Sequence, residues 1–167
     1  MATFSSTLSS AYITPLLVPE NGVGDITVRY QIPYTQINVA SSTTSGDVYT
    51  LILGTLGAIA PTSWAVGAAY GVVVSSFTGS SVTSLTVAYG TTTTTTAFLA
   101  ATAVTSAAGT VIQSTNGINA VNLPASSVGT AQITQVATFT ILGAGFNALT
   151  SGYIVLNLSA TNPLQEY

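Results

Sequence analysis

Apolar and polar residues alternate with period two along most of this chain, the pattern of β-strands half-buried against a core. From Trp64 the even positions are mostly bulky (Trp64, Val66, Ala68, Tyr70, Val72, Val74), and the odd positions between them are Ala65, Gly67, Ala69, Gly71 and Val73. That predicts a strand with its bulky face on the core and something close against its thin face. Asp25 to Tyr34 is the cleanest alternation: Ile26, Val28, Tyr30 and Ile32 share one face, and Thr27, Arg29 and Gln31 the other. Pro33 cannot donate to a ladder, so it belongs at an edge or a strand terminus. Tyr49, Leu51 and Leu53 alternate with the partly apolar Val48, Thr50 and Ile52, which predicts a central strand. Further strands are predicted around Leu85–Tyr89, Val111–Ile112, Ile133–Ile141 and Tyr153–Ala160, the last with Ile154, Leu156 and Leu158 inward.

Turn signals separate these runs: Ser41–Gly46, Phe77–Ser80, Asn116–Gly117 and Gly143–Gly145. Ile37 and Val39 are read as continuing the first strand after a bend, Asn119–Thr130 as a long connection, and Ala100–Ala108 as alanine-rich enough for a short helix. The six threonines Thr91–Thr96 are expected to form a loop at the tip of the fold. About seven or eight strands without a long amphipathic helix predict an all-β fold, a single antiparallel β-sandwich of jelly-roll or similar type. Its expected divisions are an extended N-terminal arm (1–24), the sandwich (25–160) and a C-terminal tail (161–167). In the arm, Tyr12, Ile13, Leu16, Leu17 and Val18 are costly to leave in water and should dock on this domain or on a partner.

Charge alters that picture. Only 3% of residues are charged, and the full set is Glu20, Asp25, Asp47, Glu166 and Arg29. With polarity supplied by hydroxyls and amides, little repulsion keeps copies apart and few charges need desolvating in an interface. Life in an assembly is the reading this favours, against a monomer solubilised by hydroxyls. One arginine cannot neutralise several phosphates, so nucleic-acid binding through a basic patch is excluded. The absence of cysteine excludes disulfides and thiolate metal sites.

No apolar run reaches the roughly 18 residues of a spanning helix. The N-terminal stretch has neither a basic region nor a continuous apolar core, so a secretory signal is not expected. There is no histidine for general acid–base work, and a serine nucleophile would find neither histidine nor lysine. Asp25 and Asp47 are the candidates for a carboxylate pair, but each begins a predicted strand, where aspartate serves turns. Neither a calcium site nor any cofactor is expected from four scattered acids. Asn157-Leu158-Ser159 matches a glycosylation sequon inside a predicted core strand and is read as chance. Arg29, the only base, would pair with Asp25, Asp47, Glu166 or a partner's carboxylate; Tyr12, Tyr30, Tyr34, Trp64, Tyr70 and Tyr89 divide between core and interface anchors.

Asp47-Val48-Tyr49-Thr50-Leu51, then Ser84-Leu85-Thr86-Val87-Ala88-Tyr89-Gly90 leading to Ala97-Phe98-Leu99-Ala100, and Ala148–Leu156 near the end, resemble small β-sandwich structural proteins of tailed bacteriophages. The resemblance covers about Asp25 to Ala160 and fits capsid decoration (cement) proteins best. It implies a homo-oligomer, a trimer more often than a dimer, seated on the virion's outer capsid lattice and clamping neighbouring major capsid protein subunits. Threonines stand here where the family has acidic or glycine-rich residues after the Leu85–Val87 strand, and no functional residue carries over. Arg29 and the arm residues Tyr12, Ile13, Leu16, Leu17 and Val18 are the expected interface. The other expectation is a head-fibre, tail-fibre or surface adhesin domain that recognises a glycan or receptor through the threonine loop.

Overall fold

A computed structural model describes residues 1–15, 25–55, 65–113 and 134–161. Among these, ten strands form two five-stranded sheets. They are β1 (Thr3–Thr7), β2 (Ile13–Pro15), β3 (Asp25–Pro33), β4 (Val48–Thr55), β5 (Ala65–Gly79), β6 (Ser84–Thr91), β7 (Leu99–Ala103), β8 (Val111–Gln113), β9 (Thr134–Leu142) and β10 (Leu149–Thr161). The first sheet runs β1-β4-β9-β6-β7 and the second β2-β3-β10-β5-β8.

The pairings are nested. β6 pairs with β7, β5 with β8, β4 with β9 and β3 with β10, all antiparallel, as in one long hairpin rolled up on itself. Joining β10 to β5 and β9 to β6 then closes the two sheets. That is the jelly roll, with both sheets packed over one core. Tyr49, Leu51, Leu53, Leu85, Val87, Phe139 and Ile141 enter the core from the first sheet; Val28, Tyr30, Ile32, Val73, Phe77, Ile154, Leu156 and Leu158 enter it from the second. Each such side chain contributes about 1.5–3 kcal/mol on burial. Phe77 and Phe139 meet across the sandwich with ring centroids 6.4 Å apart.

A polar tie also crosses the core. The Tyr89 hydroxyl (β6) donates to Gln135 Oε1 (β9), and Gln135 Nε2 donates to the Tyr30 hydroxyl (β3) at 2.8 Å. Burial raises the pKa of both phenols, so they remain protonated donors and acceptors.

The alternation within β3, β4, β9 and β10 falls as the sequence predicts, and Pro33 ends its strand. Three expectations change. β5 is reversed: the thin face, Ala69, Gly71 and Val73, is buried, while Tyr70 and Val72 are half-buried and Val74 is 45% exposed. The reason is room. A Cβ on Gly71 would stand 2.7 Å from Ile112 Cγ1 of β8, so neighbouring strands already fill that side of the core. Ala100–Ala103 belongs to a strand and not a helix, because it pairs with β6. After β3 the chain makes a 3₁₀ turn over Tyr34–Gln36 instead of continuing as a strand, and Ile37 is fully buried beside it.

The segment expected as an extended arm joins both sheets. β1 adds in parallel to β4, β2 adds antiparallel to β3, and Leu8 between them is in the core. Residues 1–15 thus dock on their own domain; Leu16, Leu17 and Val18 lie outside the described residues, as do Trp64, Asn116–Gly117 and Asn119–Thr130. Thr92–Thr96 is an exposed loop, turned back by the Thr91 hydroxyl, which accepts from Thr94 N at 3.0 Å.

Candidate functional site

The two aspartates weighed as a pair open strands of different sheets: Asp25 begins β3, and Asp47 precedes β4. Asp47 is 1% exposed, and its carboxylate accepts from Ala2 N (2.7 Å), Ser42 Oγ (2.8 Å) and Thr44 N (3.4 Å). Ser42 Oγ in turn accepts from Phe146 N at 2.9 Å. The Ala2 N–H above all, with the Ser42 and Thr44 donors, outweighs desolvation and holds the carboxyl below its ordinary pKa. The arrangement is a clamp that binds β1 and the loop before Phe146 to the start of β4.

The outer face of the second sheet carries the side chains with the most to gain from a partner. Register aligns Thr14, Arg29, Asn157, Tyr70 and Gln113 in one row across all five strands. The adjacent row is Gln31, Val155, Val72 and Val111. Arg29 Nε donates to Asn157 Oδ1 at 3.4 Å, and Asn157 is 3% exposed beneath its neighbours. Asp47 is not the partner of Arg29, since that carboxylate is held by Ala2, Ser42 and Thr44. Beside Arg29, burial raises the pKa of the Tyr153 phenol, opposed by the Arg29 guanidinium and reinforced by Tyr12. Val74 and Val111, 45% and 51% exposed, extend the face as an aliphatic ridge.

The outer face of the first sheet differs. Its rows read Thr3-Val48-Thr140-Thr86-Ala103 and Ser5-Thr50-Thr138-Ala88, with no ionisable side chain. Thr138 Oγ1 is buried among these neighbours without a hydrogen-bond partner among the described residues.

Of the expected interface residues, the structure places Arg29 in the outer row of the second sheet and packs Tyr12 and Ile13 against the core. Tyr30 and Tyr89, weighed as anchors, are interior. Sequence reasoning missed Tyr153, Asn157, Val72 and Val111. The signal for Val72 was present in the bulky face of its strand but pointed the wrong way. Comparison with protein-family models, curated proteins and solved structures finds no match.

Proposed function

We propose that the chain is a structural virion protein, a decoration subunit of a tailed bacteriophage. On this reading it sits as a homo-oligomer on the outer capsid lattice and stabilises contacts between major capsid protein subunits without catalysing a reaction. The observation that carries the assembly reading is the outer face of the second sheet. Tyrosine and arginine are the residue types that anchor interfaces, and the valines beside them gain by leaving water. Arg29 is the one formal charge in these two rows, so docking desolvates little that is not repaid by a single carboxylate. The phage setting comes from the resemblance described above. The fold separates no readings by itself, since jelly rolls serve viral shells and lectins alike.

A second reading has its own observation. Thr92–Thr96 presents five consecutive exposed threonines, the hydroxyl-rich tip a glycan-recognising fibre or adhesin domain would offer.

Quantitative mass spectrometry of purified virions distinguishes the two. Hundreds of copies in simple ratio to the major capsid protein support decoration, a handful support a fibre, and absence overturns the virion assignment. On capsid shells, Val72→Lys with Val111→Lys should lower co-sedimentation at least about tenfold, the equivalent of 1.4 kcal/mol. Thr86→Lys with Thr140→Lys on the opposite face should leave it unchanged. Equal loss from both pairs would refute the assignment of the second sheet as the docking face.

A further inference from the structure

The four sheet edges are not equally protected. β2 is three residues long and ends in Pro15, and β8 is three residues long. β7 carries an extra residue where Val87–Tyr89 faces Leu99–Thr102, so its edge is kinked. Short strands, proline and bulges are the usual ways in which an edge is closed to further pairing. β1 has none of them. It runs five residues in unbroken register, Thr3 opposite Val48 through Thr7 opposite Ile52, without charge, proline or bulge.

The direction of its backbone follows from two bonds. Val48 N donates to Ala2 O at 2.9 Å, and Leu8 N donates to Ile52 O at 2.8 Å. In a parallel ladder alternate residues of a strand bond to the same neighbour, so Ala2, Phe4, Ser6 and Leu8 bond inward to β4. Thr3, Ser5 and Thr7 therefore turn both N–H and C=O away from the sheet. Their backbone groups have no partner among the described residues, and their side chains are exposed.

We propose that β1 is a self-association edge, on which a second copy of this chain pairs antiparallel about a twofold axis at Ser5. The occupant follows from complementarity. A twofold centred on Ser5 sets Ser5 against Ser5 and Thr3 against Thr7 of the other copy. These are the residues whose donors and acceptors point outward, so each N–H meets a C=O in three doubly bonded pairs. Phe4 then faces Ser6 on the core side, and no formal charge opposes another. The first sheets of the two copies become one continuous sheet, whose outer row runs on from Thr86, Thr140, Val48 and Thr3 into Thr7 of the neighbour. A five-residue ladder buries less than the roughly 1,000 Å² of a durable interface, so the dimer is expected to be weak and to form in solution at high protein concentration. The inference does not depend on the phage setting, because it concerns how two copies meet and not what they coat.

The absence of cysteine makes the test clean. In the full chain, Ser5→Cys should oxidise to a disulfide dimer in oxidised glutathione, since paired Cα atoms about 5.5 Å apart suit the bond. Thr3→Cys and Thr7→Cys should each do so at least about tenfold more slowly, while an equal mixture of the two gives the mixed dimer efficiently. Thr93→Cys on the exposed loop sets the rate of chance collision. A Ser5→Cys rate no higher than that of Thr93→Cys, or equal rates at positions 3, 5 and 7, would overturn the pairing. Sedimentation of the cysteine-free protein supplies a second arm: concentration-dependent dimerisation should be lost in Ser5→Lys, and its persistence would equally overturn the inference.

Discussion

On the first sheet the outward positions of β4, β9 and β6 hold Val48, Thr50, Thr138, Thr140, Thr86 and Ala88; on the second, β3, β10 and β5 hold Arg29, Gln31, Asn157, Val155, Tyr70 and Val72. Both faces grow from the same alternation over the same core, and both are poor in charge, yet their chemistry diverges. A threonine-rich face is wetted through its hydroxyls, and its one large exposed apolar side chain among the described residues, Leu142 at 47%, stands at the end of β9. A face of valine and tyrosine around one arginine leaves apolar area in water that a partner would remove. Scarce charge therefore does not make a uniform surface, and the strand that separates the faces most is β5, whose bulky residues point outward.

The largest expected effect comes from separating the two sheets. Gln135→Leu keeps the volume but strands the Tyr30 and Tyr89 hydroxyls, two buried groups that have no water to turn to. Stability should fall by roughly 2–4 kcal/mol, read as a lower urea midpoint at unchanged slope. If tyrosine fluorescence and far-UV circular dichroism still moved together, the two faces would be parts of one cooperative unit; separate transitions would show that they are not.

Acid should loosen the first sheet through Asp47. Asp47 has a lowered folded pKa, so it binds its proton less readily folded than unfolded. Its stabilisation is complete above about pH 5 and disappears as pH falls below about 4, through the folded value. Amide protection at Phe4, Ser6 and Leu8, whose N–H groups bond to β4, should then fall between pH 5 and pH 3, once the intrinsic exchange rate is divided out, before that at Val28–Ile32. Simultaneous loss of protection in β1 and β3 would show that the Asp47 clamp does not hold β1 locally.

The smallest effect should carry opposite signs on the two faces. Thr138→Val removes a buried hydroxyl without a partner among the described residues and should be neutral or stabilising by up to about 1 kcal/mol. Thr27→Val on the second sheet removes a hydroxyl 2.9 Å from Ser159 Oγ and should cost about 0.5–1 kcal/mol. The sharpest check is the difference between the two melting temperatures, since a common sign would remove the contrast.

How much of this was written in the chain depends on distance along it. The inward residues of β3, β4, β9 and β10 are legible because a two-residue period is a local property. The exposed threonine loop is legible too, from hydroxyl residues without an alternating apolar set. The face of β5 was not. Both of its sides are uncharged, and the choice rests on Ile112 and Leu156, whose side chains approach Gly71 from far along the sequence. The row that joins Arg29 to Asn157 and Tyr70 was hidden for the same reason, since register between distant strands leaves no local trace. The docking of residues 1–15 needed β4 and β3 to be in place before it could be read.

The rolled-hairpin topology also sets a timetable. Val28 pairs with Leu158, so a chain made from its N-terminus at 5–20 residues per second waits roughly 7–26 seconds between synthesis of one and of the other. For that interval Val28, Tyr30 and Ile32, all buried in the finished fold, lack the strand that completes their sheet. The innermost hairpin, β6 with β7, has both strands early and must wait for β9 to cover its other side. Nascent chains should therefore occupy hydrophobic-binding chaperones until β10 emerges, and a ribosome stalled just before Leu149 would keep them there.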